Sequence, residues 1–517
     1  MKRILLLVLL PVCGTAVALA AATPPGWQQI TSRDGNLAPH PGGTRQQTAA
    51  IVADFDGDGV NDFILSFREK PPAVLFYRRT LSGWDQSVIE PEFLTTEAGG
   101  AVADIDGDGD LDLVIGGDYR SNAVWWWENP APDFDKNVPW KRHFVKNSGA
   151  RQHHDQCFAD FLGTGQPQLA FWNQKAKSLL LAEIPANPRA ATEWPMTTII
   201  QDYTPNGVPY VEGISACDID GDGRPDLLAC DTWFKHTGGR QFQPIKFATH
   251  GGLIFAGYFQ NSKYPQIVVS PGDASGPLRL YECRGDPLNP ADWHHRDLLD
   301  RPIVHGHSLQ LGDIDRDGNL DIFVAEMAKW TEKNTAPDHP GATAWILYGD
   351  GRGNFRTTVF ATGIGWHEAR LSDLDGDGDL DLLNKPYNWD APRVDVWLNG
   401  GTRAGAPRGA GTSASLPGPV GLQLWSLRGL LKENLPLGLQ TARNFGFANV
   451  EVAGVPAMPP AQLRQTLRAH GLNPVSGNWS YEDVDRDLDK VVREAKALGV
   501  TYAGVGWIPR PKNRAFT

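Results

Sequence analysis

The 517-residue sequence is poor in cysteine (5) and methionine (4), and its basic residues (48) are outnumbered by acidic ones (60). So few cysteines exclude a disulfide-built scaffold. Cys157, Cys217, Cys230 and Cys283 suit buried small apolar positions, and one pair has the option of a bridge. The net charge of -12 argues against nucleic acid as a partner, which asks for a basic surface. No later stretch reaches the ~20 apolar residues that span a bilayer, so no transmembrane segment is expected. With 41% apolar and 21% charged residues, wholesale disorder is excluded. Glycine (56), proline (39) and tryptophan (18) are abundant, and many turns with many aromatics point to an all-β protein.

The N-terminus reads as an address. Lys2 and Arg3 precede an apolar run at 4–10, and the segment closes on Ala18-Leu19-Ala20. This is the layout of a secretory signal peptide over residues 1–20. Pro11 breaks the run too early for a membrane anchor, and Val12 is bulky where a lipoprotein site before Cys13 wants a small residue. The expected location is secreted or periplasmic.

Internal repeats set the architecture. Five segments nearly repeat one another: DFDGDGVND from Asp54, DIDGDGDLD from Asp104, DIDGDGRPD from Asp218, DIDRDGNLD from Asp313 and DLDGDGDLD from Asp373. Two degenerate copies start at Asp160 and Gly257. An aromatic opening an alternating stretch recurs at Trp84, Trp140, Trp194, Phe242, Trp293 and Phe355. A seventh copy, at Trp27, precedes the first repeat, and none follows the last. Four short strands per unit suggest the blades of a β-propeller. The displaced strand at Trp27 fits closure of a ring of seven blades over 23–400.

The loop D-x-D-x-D-G-x-x-D places carboxylates at positions 1, 3, 5 and 9, a backbone carbonyl at 7 and a turn-permitting glycine at 6. Oxygen ligands in this spacing suit Ca²⁺. The candidate ligands are Asp54, Asp56, Asp58 and Asp62; Asp104, Asp106, Asp108 and Asp112; Asp218, Asp220, Asp222 and Asp226; Asp313, Asp315, Asp317 and Asp321; and Asp373, Asp375, Asp377 and Asp381. About five calcium ions are expected, with the degenerate loops empty. The alternative is a set of solvated acidic turns, but the five loops hold 22 of the 60 acidic residues, and that crowding calls for a counter-ion.

These loops, with stretches such as TAWILYGDGRGNF at 343–355, resemble the FG-GAP/VCBS repeat family, in the same broad group as integrin α-subunit propellers. The resemblance spans roughly residues 27–400 and implies a calcium-stabilised propeller. It leaves function open, because members include adhesins, receptors and lyases. Some related propellers convert sugars, including the fungal aldos-2-ulose dehydratases, whose catalytic residues do not map one by one onto this chain.

Chain geometry puts every acidic loop on one face, so a ligand site is expected on the other. Six residues before the loop starts stand His154, Glu212, His307 and His367, with Thr48, Ala98 and Gly251 in the remaining blades. His153, His305 and Glu368 lie beside them. Converging His and Glu side chains suit a transition metal or general acid–base work; the plainer reading is hydrogen-bonded strand ends. A second set follows the second strand: Asp118, Arg120, Trp233, Lys329, Trp330, Lys385, Tyr387 and Trp389. Aromatics beside charges suit sugar rings, or else pack between blades.

Residues 401–419 are rich in Gly, Ala, Pro and Ser and read as a flexible linker. From 420 to 517 the period changes. Strands are expected at 421–427, 447–454, 472–480 and 500–508, with helices at 428–446, 459–470 and 481–498, which is the βα alternation of a parallel sheet. The segment resembles the start of the xylose isomerase-like sugar isomerase/epimerase barrels, through Gly421 to Leu427, the Phe447 to Glu451 strand, Gly471-Leu472 and Ala497-Leu498-Gly499. Asn478 stands where that family often has His, and a whole barrel takes about 250 residues. A partial (β/α) barrel is expected, either completed by a partner or inactive.

The fold class expected is mainly β, a seven-bladed propeller with N-terminal strand closure, plus a short α/β unit. Three functions remain open: an exported calcium-binding propeller that binds carbohydrate or a cell-surface protein, a sugar-modifying lyase or dehydratase using the His/Glu cluster, and a sugar isomerase in the C-terminal unit.

Overall fold

Each repeat folds as its acidic loop and its aromatic require. In the computed structural model the described residues are 24, 26–80, 82–330, 336–400, 421–444 and 447–506, with short pieces at 412–413 and 416–417. The expected signal peptide, most of the expected linker and residues 507–508 of the expected last strand lie outside them. Blade 1 runs Gln47–Ala53, Asp62–Phe67, Val74–Thr80 and Gly83–Glu90, four antiparallel strands in sequence order. Blades 2 to 6 follow the same plan, with first strands opening at Ala101, His153, Ile214, Leu253 and Ser308.

Blade 7 takes three strands from the end of the ring, His367–Ser372, Asp381–Lys385 and Asp395–Asn399. Its fourth is Trp27–Thr31, with Trp27 paired to Asn399 and Thr31 to Asp395. The N-terminal strand therefore closes the ring, as expected. First strands of neighbouring blades touch one another, so they line the central channel.

The core lies between blades. The aromatics that open the fourth strands, Trp27, Trp84, Trp140, Trp194 and Trp293, are buried. The second residue of each loop is a buried apolar anchor, Phe55, Ile105, Phe161, Ile219, Phe259, Ile314 and Leu374; in blade 5 the strand runs through Gly257, so its loop starts at Tyr258, one residue later than the expected Gly257. At the closing seam Phe360 of blade 6 meets Trp27 at 5.0 Å and Trp397 at 5.2 Å between ring centroids. Such aromatic pairs add to the burial of large apolar area. Blade 5 departs from the plan, because Gly272–Gly276 pairs with Ile303–Gly306 as an extra two-stranded ladder.

The C-terminal unit is a parallel sheet of Gly421–Gln423, Asn449–Val452, Asn473–Trp479 and Tyr502–Val505, in that order. Its helices are α1 (Arg428–Glu433), α2 (Leu435–Asn444), α3 (Pro460–Ala469), α4 (Tyr481–Arg486) and α5 (Leu488–Leu498). Two expected single helices are each broken. Asn434 turns extended and its side chain accepts from the Leu437 N–H, while Pro436 cannot donate back along a continuous helix. Asp487 breaks the second and caps Lys490. The first strand is also shorter than expected, since Leu424–Leu427 forms a 3₁₀ turn. The four strands form an open sheet among the described residues.

Replacing Trp27 by Ala removes the aromatic at the seam and is expected to cost about 3–5 kcal/mol, the range for a buried large aromatic, read from the denaturant midpoint.

Candidate functional site

The acidic loops share one internal geometry. The first aspartate accepts the N–H of the glycine five residues on: Gly59 to Asp54 at 3.1 Å, Gly109 to Asp104 at 3.1 Å, Gly223 to Asp218 at 2.8 Å, Gly318 to Asp313 at 3.0 Å and Gly378 to Asp373 at 2.9 Å. Those glycines have φ between 85° and 103°, which only glycine adopts freely. In four loops three carboxylates bring oxygens within 4.8 Å of one another, such as Asp104, Asp106 and Asp108. Asp54 Oδ1, Asp106 Oδ1 and Asp220 Oδ1 are buried and accept no hydrogen bond among the described residues.

The ninth residue braces the loop. Its carboxylate accepts the N–H of position 2: Phe55 to Asp62 (3.2 Å), Ile105 to Asp112 (2.9 Å), Ile219 to Asp226 (3.0 Å), Ile314 to Asp321 (2.8 Å) and Leu374 to Asp381 (2.7 Å). In four blades the other oxygen accepts from the third strand or the residue just after it, as Asn129 N–H does to Asp112 at 2.9 Å. Burial and then neighbouring aspartates push Asp62, Asp112, Asp226 and Asp321 up to about 7, and Asp381 to about 8. These carboxylates are short of positive charge.

The two degenerate loops supply an internal comparison. Gln168 and Gln266 hold position 9, and their carbonyls accept from Leu162 and Phe259. The amide nitrogen of Gln168 donates to Thr164 Oγ1 at 3.0 Å and to the Gln166 carbonyl. That of Gln266 donates to Ser262 Oγ at 2.6 Å and the Tyr264 carbonyl at 3.0 Å. In both loops a neutral N–H donor bridges a short side-chain oxygen and a backbone carbonyl. The intact loops have no such amide: Arg78, Arg189 and Lys235 each reach one carboxylate, of Asp56, Asp106 and Asp220, yet oxygens such as Asp54 Oδ1 and Asp106 Oδ1 stay unbonded among the described residues, so the residues present fit an oxygen-liganded divalent cation.

On the opposite ends of the first strands, the histidine register converges. Ligand atoms of His154, Glu212 and His307, from blades 3, 4 and 6, lie within 4.8 Å of one another, and all three residues are buried. His367 of blade 7 stacks on His307 with centroids 4.6 Å apart. His154 Nδ1 lies 2.8 Å from Asp155 Oδ2, which also accepts the Gly213 N–H at 2.6 Å. His307 Nδ1 lies 3.3 Å from Glu368, and its Nε2 lies 3.8 Å from Glu212. Glu212 accepts the Asp273 N–H at 2.9 Å, and Lys329 reaches Asp273 at 3.3 Å.

Two of these carboxylates sit on strained backbone. Asp155 has φ 50° and Glu368 φ 54°, each inside a register shift of the first strand. Five residues before the loop start, the corresponding place in blades 2 and 4 is Gly99 and Gly213, both at positive φ. Holding a larger residue in the left-handed region costs about 1–3 kcal/mol and is typical of functional sites. The bulge lets the histidine and the following carboxylate address the same space.

The charges diverge within the cluster. Burial opposes a charge on His154, but Asp155, then Glu212 and Glu97, raise it well above the ordinary histidine value. Burial likewise opposes a charge on His307, and Glu368, Glu212 and Asp273 lift it to about 9. Burial drives His367 the other way, helped by Lys385, His307 and Arg68, and keeps it well below. Lys385 Nζ lies 2.8 Å from His367 Nδ1 and donates to the carbonyls of Gln47 and Thr48. Burial drives Lys385 well below its ordinary value too, and an uncharged amine that accepts from His367 Nδ1–H leaves Nε2 open. Glu212 is raised by burial and by Asp273, against the pull of His307 and His154. Groups driven apart in this way in one cluster are the pattern of acid–base sites.

The second expected set divides. Tyr387 lies 5.0 Å from His367 between ring centroids, and its hydroxyl is bonded by Arg68, which also holds Glu97 at 2.8 Å. Trp330 is clamped to Asn388 through both backbone groups, with Arg45 4.4 Å above its ring. Trp389 is half-buried on the same connection as Tyr387. Asp118 is buried and occupied by Arg120 at 2.7 Å. Trp233 is a correction: it is fully buried with Ile245, Tyr281 and Trp293 in the core between blades 4 and 5, out of a ligand's reach. His153 is also buried, 3.2 Å from Lys146, and burial pushes it down to about 3.

Asp155, Asp273, Arg68 and Glu97 complete the cluster without having been singled out from the sequence. Asp155 carried a signal, an acid where two other repeats have glycine. In the C-terminal unit, Glu451 accepts from Asn478 at 2.6 Å, from Gln423 and from Ser476 at 3.2 Å.

Residues 313–383 match the FG-GAP-like repeat family. No curated protein matches the chain. Among solved structures, BBS1N in its complex with ARL6DN, soaked with mercury, is similar over 72% of this chain and 97% of that one, at 9% identity and a TM-score of 0.43. The lead-soaked form of the same complex covers 69% and 94%, at 10% identity and a TM-score of 0.41.

Replacing Gln168 by Leu removes the amide donor and strands two loop oxygens. The expected loss is about 1–3 kcal/mol in thermal or denaturant unfolding, the same with calcium or with a chelator, because the amide already bridges the loop oxygens.

Proposed function

We propose that this chain is an exported, calcium-stabilised propeller that engages a polyhydroxylated ligand, a carbohydrate free or borne on a cell-surface partner, at the channel mouth opposite the acidic loops. We infer further that the mouth transfers a proton on that ligand, in the manner of a sugar lyase or dehydratase. The observation that carries the reading is the meeting of His154, Glu212 and His307 from three separate blades, ligand atoms within 4.8 Å and all buried. Calcium in the five loops is supported by the amide donors that replace it in the two degenerate ones. The leader at 1–20 agrees with export, where calcium is plentiful enough for modest-affinity loops.

His154, Glu212 and His307 fit a divalent transition metal, with Asp155 fixing the His154 ring so that Nε2 is left for the ion. When bound, such an ion supplies Lewis-acid polarisation of a sugar oxygen. The remaining work belongs to the side chains. His367 is neutral and stacked beside the cluster, placed to take a proton from carbon next to a carbonyl. Lys385 holds its Nδ1, and Arg68 with Tyr387 closes the space around it. Protons held by His154 and His307 must leave before both can ligate, so metal uptake releases protons.

Calorimetry in saturating calcium tests this. Added Zn²⁺ or Mn²⁺ is expected to fill one further site with proton release, and the site is lost in His154→Ala and His307→Ala. Turnover of 2-ketosugars or uronates is expected to vanish in His367→Ala, which keeps the metal. A wild-type chain that takes up no such ion, binds no sugar and turns none over sinks the reading. Binding without turnover would instead favour an adhesin-like role resting on Trp330, Tyr387 and Trp389, which line the rim half-buried. A sugar isomerase in the C-terminal unit would rest on Glu451 and its partners, and is tested by turnover that survives His367→Ala but not Glu451→Gln.

Asp155→Gly separates strain from orientation. Glycine relieves the left-handed backbone, so unfolding stability is expected to hold or rise. Transition-metal affinity is expected to fall about 10–100-fold, the usual cost of losing a carboxylate that orients a ligating histidine.

A further inference from the structure

The C-terminal unit lies across the face that carries the acidic loops. Arg443, at the end of α2, donates from Nη2 to the Gly378 carbonyl in the loop of blade 7 at 3.2 Å. Pro459, ahead of α3, packs on Gly165 of blade 3, where an added Cβ would meet its ring at 3.4 Å. Asn434 bonds the Tyr258 hydroxyl of blade 5. Arg464 and Arg468 of α3 stand in the field of Asp54 and Asp104, from blades 1 and 2, and Arg443 in that of Asp373, Asp313 and Asp379. The unit thus touches blades 3, 5 and 7 and sets arginines in the field of loop acids of blades 1, 2 and 6.

The arginines face groups that already compete for positive charge. In the loop beginning at Asp104, the Asp106 side chain is 1% exposed and its Oδ1 is without a hydrogen bond among the described residues. Arg189 of the propeller holds the other oxygen at 2.6 Å. A divalent cation in such a loop and a guanidinium beside it repel each other, and both draw on the same carboxylates.

We propose that Arg443, Arg464 and Arg468 couple docking of the C-terminal unit to cation occupancy of the loops beginning at Asp54, Asp104, Asp313 and Asp373. A filled loop holds the arginines less tightly, and a docked arginine weakens the loop's hold on its ion. The two effects are equal by linkage. The loop beginning at Asp218 is flanked instead by Lys235 of its own blade, so it stands outside the coupling. The inference rests on the reading of these loops as calcium sites.

Calcium titration of the whole chain by calorimetry is the test, comparing wild type with the triple variant Arg443→Gln, Arg464→Gln, Arg468→Gln. Four sites are expected to tighten by roughly three- to tenfold, the scale for removing a nearby like charge under partial screening, and one to stay unchanged. The triple Arg→Lys variant keeps the charge and is expected to bind as wild type does. A cooperative unfolding transition and an unchanged far-ultraviolet circular dichroism spectrum in chelator show that the Gln variant remains folded. Equal affinities in all three chains would overturn the coupling alone. Absence of calcium binding from every chain would overturn the loop reading beneath it.

Discussion

Every blade depends on one buried polar side chain, the ninth residue of its loop. In five blades it is an aspartate and in two a glutamine. It ties the loop backbone back to the second strand, and in four blades it also reaches the third strand or its end. A buried carboxylate is costly unless its charge is met, so this brace is what makes the intact loops ask for positive charge. Where the brace is neutral, an amide supplies the positive end internally, and of the other loop acids only Asp160 is present.

That constraint divides the propeller by face. The loop end holds the acid inventory, the apolar anchors at position 2 and the C-terminal unit. The other end is free of it, and there the first strands begin with His154, Glu212, His307 and His367. The bulge at Glu368 lies between the interblade aromatic Trp366 and Ala369, both part of the cluster that includes Trp397.

The propeller was legible in the sequence because a repeat exposes its own register. The same frame carried the mouth histidines, since residues at one repeat position must share a ring. Asp273 escaped it because it sits on the extra ladder of blade 5, which no other repeat has. Arg68 and Glu97 escaped because ordinary surface charges of that kind are common near strand ends. Trp233 misled for a plain reason: in blade 4 the second and third strands are joined by Cys230 and Asp231 alone, so Trp233 already belongs to the third strand and faces blade 5. The helix breaks at Asn434 and Asp487 were written in Pro436 and in the capping side chains, but were masked by an apolar period that runs across them.

Sequence alone determined the repeat unit, the number of blades, the closing strand and which loops carry four acids, because these follow from local spacing and chain order. Tertiary structure decided which side chains from different blades meet, that Asp155 and Glu368 are bent into the cluster, and that the C-terminal unit touches the acidic face. Those are distances between residues far apart in the chain, and they depend on how the ring packs and closes. Local pattern contains no term for that.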